Sequence, residues 1–118
     1  MNFFQELIEN FKTIITQHYA DFNGRVGKRS FWMFVLANFI VSFVLGLIPV
    51  AGVFLGSIYS LAVLVPGLGM GIRRLHDIGK PGINLLFALI PIAGPIILIV
   101  WYCKDSEFGD NAYGPQAE

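Results

Sequence analysis

Three long runs of this chain, residues 30–48, 53–71 and 83–102, contain no Lys, Arg, Asp, Glu or His. At about 1.5 Å per residue, each is long enough to cross a hydrocarbon layer of roughly 30 Å as an α-helix. A soluble globule would need polar surface to cover such runs, and 118 residues with 55% hydrophobic and 14% charged content do not supply it. The expected fold is an all-α membrane protein, a single domain over 1–118. A spanning helix satisfies its own backbone, whereas a loop in lipid does not.

The placement of charge sets the expected orientation. Lys12, Arg25, Lys28 and Arg29 precede the first run, Arg73, Arg74 and Lys80 lie between the second and third, and the link 49–52 carries no charge. Putting the basic segments inside gives a cytoplasmic N-terminus. With three spans, the polar tail 103–118 is then periplasmic.

One repeat complicates that count. Leu47-Ile48-Pro49-Val50-Ala51-Gly52 recurs as Leu89-Ile90-Pro91-Ile92-Ala93-Gly94. The first copy must turn between helices. A third span kinked at Pro91 and Pro95 is expected, because a transmembrane helix absorbs prolines and half-helices of about eight residues are very short. The alternative is a re-entrant hairpin over 83–102, which would return the tail to the cytoplasm.

Over 1–21, Phe3, Phe4, Leu7, Ile8, Phe11, Ile14, Ile15 and Tyr19 recur at three- and four-residue spacing, opposite Gln5, Glu6, Glu9 and Lys12. That periodicity predicts an amphipathic helix, lying in the interface or packed across the ends of the spans. In the second run Gly52, Gly56 and Ser60 recur every four residues. Small residues at this spacing let helices approach closely, within the hairpin of the first two spans or at a dimer seam.

The densest chemistry is Arg73-Arg74-Leu75-His76-Asp77-Ile78-Gly79-Lys80, read as a short surface loop. Together with Arg25, Lys28 and Arg29 it can form an anion site. The arginines would fork to the phosphates of lipid headgroups or to a partner's acidic segment, Lys80 would add charge and His76 a hydrogen bond. Equally, the same residues can simply anchor topology, with Asp77 pairing to Arg73 or Arg25. Before them, Gly24 to Trp32 reads as a turn and a helix start capped by Ser30.

These markers, Gly24-Arg25 through Phe31-Trp32, Arg73 to Asp77 with Gly79 and Gly82, Pro91 and Gly94, then Asn111, Tyr113, Gly114 and Pro115, resemble the small bacterial inner-membrane proteins classed as domain of unknown function 805. The resemblance covers residues 22–115. It departs at Ser30, where the family usually has an acid or amide, and at Ile83 and Asn84, where it often has a Trp. It implies a multi-pass inner-membrane protein and no particular reaction.

The remaining classes recede on chemistry. The spans hold only weakly polar groups, Asn38, Ser42, Ser57, Tyr59, Ser60 and Asn84, so a lone ion-coupled transporter is disfavoured. Three helices enclose no pore, and an oligomeric pore or carrier for a small solute is the alternative to a binding or scaffold protein. His18 and His76 lie outside the runs, which argues against an intramembrane serine hydrolase, and no enzyme activity is expected. Cys103, the single cysteine, excludes an internal disulfide and a cysteine metal cage and is expected to pack as a small apolar group. Neither cofactor nor metal is expected. The partners are membrane lipids, with a homo-oligomer or a membrane-protein partner besides. Nucleic acid is disfavoured, since the few cations lie beside a bilayer. In the tail, Asn111 to Pro115 reads as a turn, with Tyr113 docking on a helix end.

Overall fold

In a computed structural model, described over residues 2–117, the chain forms four α-helices and one 3-10 helix, with no strand among the described residues. The helices are α1 (Phe3–Gln17), α2 (Lys28–Gly46), α3 (Ala51–Asp77), the 3-10 helix Gly82–Leu89 and α4 (Ala93–Tyr102). The α2 and α3 helices are long and apolar enough to cross a membrane, and less than a quarter of either apolar window is buried. A soluble core helix would be mostly buried; here Phe39, Val53 and Leu61 are 66%, 77% and 71% exposed, which suits side chains solvated by lipid. Chain contacts divide the molecule into two compact units: one of residues up to Asp21 with Trp32–Gly67, the other of Phe22–Phe31 with the residues from Leu68 onward.

In the first unit, a capping box starts α1: Asn2 accepts from the Gln5 N–H while the Gln5 side chain accepts from the Asn2 N–H. Leu7 of α1 packs against Met33 and Ala37 of α2, with Phe11 alongside and stacked on Phe34 at 5.6 Å. Tyr19 donates to the Ala62 carbonyl at 2.6 Å. The connection from α2 to α3 is the four residues 47–50, closing in a tight turn in which the Ala51 N–H reaches the Pro49 carbonyl and Val50 takes a left-handed φ of 59°. Gly52 follows where a Cβ would strike the Leu45 carbonyl oxygen.

In the second unit, the segment 83–102 is not the single kinked helix expected. The 3-10 helix ends at Leu89, the chain reverses, and α4 begins at Ala93 and packs back against it. The physical reason is the repeated motif. Ile92 takes φ 66°, ψ −61°, the Ala93 N–H reaches the Pro91 carbonyl at 2.7 Å, and a Cβ on Gly94 would strike the Phe87 carbonyl oxygen. These local bonds, with Gly94 N–H to the Ile90 carbonyl, satisfy the broken backbone. The two segments thus form a helical hairpin, the shape that the alternative reading of 83–102 requires. Two smaller expectations also change: α2 begins at Lys28, so Ser30 is inside the helix rather than capping it, and α3 runs through Arg73–Asp77, which are helical rather than looped.

The core of this unit joins Val26, Phe31, Met70, Leu75, Leu98 and Tyr102, all buried. Phe31 and Tyr102 meet with ring centroids 4.4 Å apart.

Candidate functional site

The last turn of α3 leaves carbonyls with no helical partner, and in this chain other segments supply donors to them. Gly79 takes φ 81°, which turns the chain so that the Lys80 N–H reaches back to the Leu75 carbonyl at 2.9 Å. The Val26 N–H donates to the Arg73 carbonyl, the Asn111 side-chain amide to the His76 carbonyl, and the Glu107 N–H to the Asp77 carbonyl. The segment around Arg25 and the tail thus close over the same helix end.

At the centre is Asp77, with no exposed side-chain surface. Its carboxylate accepts from Arg25 Nε at 3.0 Å, from Arg74 at 2.8 Å and from the Ser106 hydroxyl. Arg74 sits one helical turn earlier, at the i, i+3 spacing that brings side chains together. It also donates to the Tyr102 carbonyl at 3.0 Å and to that of Lys104. Arg25 donates to the carbonyls of Asp77 (3.0 Å), Glu107 (2.7 Å), Gly109 (2.7 Å) and Gly114 (3.2 Å) in addition to the carboxylate. Those bonds engage all five N–H groups of the guanidinium, which is why an arginine and not a lysine stands here.

The other expected site residues are distributed around this cluster. Arg73 is buried and donates to the Gly69 carbonyl and the Met70 sulfur. His76 sets Nδ1 2.9 Å from the Gly24 carbonyl, and Tyr113 stacks on its ring at 3.9 Å, the docking expected of that tyrosine. Lys28 pairs with the exposed Asp105 at 2.6 Å, and this bond and charge hold the Asp105 carboxyl below its ordinary value. Arg29 is exposed on the first turn of α2. Lys80 places its ammonium 4.7 Å from the centre of the Trp101 ring, within cation–π range. The structure therefore brings Arg25, Arg74 and Asp77 into one buried cluster and leaves Lys28, Arg29 and Lys80 nearer the surface. Asp77 pairs with Arg25, as one sequence alternative had it, and with Arg74 in place of Arg73.

Two expectations are corrected here. Residues 105–114 are held against Arg25 and Asp77, so the tail lies beside the basic segments instead of across a span from them. Cys103 is exposed rather than packed, because it stands one residue past the last turn of α4. Sequence inspection missed Ser106 and the carbonyls of Glu107, Gly109 and Gly114. A backbone carbonyl leaves no trace in residue identity, and Ser106 has no distinguishing neighbours.

In the first unit, Gly52 and Gly56 prove unlike: Gly52 is required inside the turn, while a Cβ on Gly56 would meet nothing within 4 Å. Both nonetheless line one open groove with Ser60, Ser42 and Gly46.

An all-helical chain with two apolar, lipid-suited helices and a buried Arg–Asp–Arg cluster belongs to the class of small helical membrane proteins. More specifically, the chain belongs to the family of proteins of unknown function DUF805, whose model matches residues 19–115. It is 35% identical over 104 residues to the inner membrane protein YhaI of Escherichia coli strain K12, covering 85% of this chain and 88% of that one. To the inner membrane protein YhaH of the same organism it is 37% identical over 110 residues, covering 86% and 90%. No solved structure matches the chain.

Proposed function

We propose that this chain is a non-enzymatic, multi-pass protein of the bacterial inner membrane that binds anionic phospholipid headgroups at its cytoplasmic face. The carrying observation is the partition of charge. Seven of the eight cations, against five of the eight carboxylates, fall in the unit built around Asp77, a net of +2. Asp77 is buried with Arg25 and Arg74, which position the segments. On this reading Arg29 and Lys80 are the cations that meet headgroups, each contributing about 1 kcal/mol near an anionic surface, while Lys28 is paired with Asp105.

The inner-membrane names of the two relatives support the location, and the positive-inside rule puts both basic segments in the cytoplasm. On this reading α2 and α3 span, the 3-10 helix and α4 dip into the bilayer and return, and both termini are cytoplasmic. The α1 helix lies in the interface, where Phe4 and Ile8, exposed on its surface, are out of water. The absence of enzymatic chemistry is supported by the engagement of Asp77, whose three donors and burial leave it poorly placed as a base.

Native mass spectrometry from nanodiscs of mixed phosphatidylglycerol and phosphatidylethanolamine tests the proposal. Preferential retention of phosphatidylglycerol is expected, falling about fivefold for each of Arg29→Gln and Lys80→Gln, the equivalent of about 1 kcal/mol apiece. An unchanged ratio overturns it. The open space over Gly56 and Gly46 favours a second reading, an oligomeric pore or carrier assembled through that groove. It requires solute flux in liposomes that Gly56→Leu abolishes.

A further inference from the structure

Beside the basic cluster, the same unit carries an open groove of about 590 Å³ whose lining contains no polar side chain. Leu68 and Ile72, one turn apart on α3, form one wall; Ile83, Leu86 and Leu89 of the 3-10 helix form the other, and Phe22 stands in the lining as well. Asn84 and Phe87 are absent from the lining; Phe87 instead meets Trp101 edge-on at 5.3 Å. The walls are drawn together at Gly82, where a Cβ would come within 2.7 Å of the Ile72 side chain. A Cβ on Gly71 would likewise lie 3.3 Å from the Leu85 side chain, while Ile83 and Leu89 are 69% and 78% exposed.

The geometry points to a specific site for one acyl chain of a phospholipid from the cytoplasmic leaflet, lying along the 3-10 helix. This deepens the headgroup reading above and rests on it for orientation. Three observations select a lipid chain over a protein segment. A 3-10 helix rises about 2 Å per residue, so the eight residues from Gly82 to Leu89 give a length of about 16 Å. That is close to one leaflet, half of the roughly 30 Å hydrocarbon layer. An all-apolar lining offers no partner for polar side chains or for the backbone of a non-helical peptide, whereas an acyl chain has no polar group to satisfy. Finally, the groove is continuous in sequence with the basic segment: Ile72 adjoins Arg73, and Gly82 follows Lys80 by two residues. A chain seated there therefore brings its phosphate toward cations.

The test uses the intact chain in nanodiscs of mixed phosphatidylethanolamine and phosphatidylglycerol, doped in turn with each lipid carrying a diazirine midway along one acyl chain. After photolysis, peptide mass spectrometry should find adducts concentrated on Leu68, Ile72 and Leu86 with both probes. Ala88→Trp, which fills the groove from an exposed position, should cut them about tenfold. Adducts scattered evenly over exposed residues such as Phe43 and Val53, or chain-to-chain cross-links at the groove, overturn the site. So does labelling that a folded Ala88→Trp variant leaves unchanged. The wild-type adduct map decides by itself should that variant not fold. Equal labelling by the two lipids keeps the groove and removes the headgroup preference. Selective retention of phosphatidylglycerol without groove labelling does the reverse.

Discussion

Asp77 and Asp105 are carboxylates of the same unit with opposite circumstances, and they should respond to mutation differently. Asp77→Asn leaves Arg25 and Arg74 buried with a neutral acceptor. Removing one partner of such a cluster costs about 3–5 kcal/mol, and denaturant unfolding in detergent micelles should show it. A loss below about 1 kcal/mol would mean that the cluster is hydrated rather than buried. Arg25→Lys keeps the charge but offers three donors in place of five, so it should forfeit most of the same stability. Asp105, fully exposed, behaves as a surface pair. Its carboxyl is depressed below 3.8 by the Lys28 bond and charge, so the stabilisation exists above the ordinary value and disappears as pH falls through the depressed one. In an NMR titration the Asp105 midpoint should lie under 3.8 and return upward in Lys28→Gln or in high salt.

Among the elements, the two Leu-Ile-Pro-Val/Ile-Ala-Gly turns have the most to explain. Each places a β-branched residue at positive φ, a conformation costing roughly 1–3 kcal/mol that persists only where the surroundings impose it. The glycine two residues later permits the tight approach of the following helix to a carbonyl seven residues back. Gly94→Ala and Gly52→Ala should therefore each destabilise by about 1–3 kcal/mol, whereas Gly56→Ala, with open space around it, should be nearly neutral. Equal effects at all three positions would contradict the geometry. The repeat was legible in the sequence, including its consequence for 83–102, yet the proline tolerance of transmembrane helices pointed to a single kinked span. What the residues alone did not convey was the glycine's contact with a distant carbonyl, which makes the second turn as sharp as the first. Likewise the apolar runs marked α2 and α3 to within a few residues at most ends, but the cationic stretch from Arg73 hid the last turn of α3, because charge resembles a loop until its partners are known.

For the molecule as a whole, the side on which the tail lies is the decisive property. Cys103 is the only cysteine and is exposed, so it reports on its own surroundings without engineering. A membrane-impermeant maleimide should label it in inverted inner-membrane vesicles and leave it untouched in intact spheroplasts; the converse pattern would place the tail in the periplasm and overturn the proposed two-span topology. The Arg25–Asp77 pair was within reach of sequence inspection, because Asp77 is the only carboxylate between Asp21 and Asp105 and stands among cations that need a partner. The tail's part in the cluster was not, since it is made largely through main-chain atoms.

Arg25 finds its tail acceptors at Glu107, Gly109 and Gly114, 82 to 89 residues further along the chain. At about 5–20 residues translated per second, the ribosome needs roughly 4–18 s between delivering that arginine and delivering those carbonyls. Both apolar helices emerge in the interval. Arg25 and Arg74 can therefore meet Asp77 before the tail exists, and the tail's carbonyls complete the cluster only after both apolar helices have been made. A copy whose synthesis stops before residue 105 would hold its helices and lack the clasp, which gives the cell's quality-control proteases a structural difference between finished and unfinished chains.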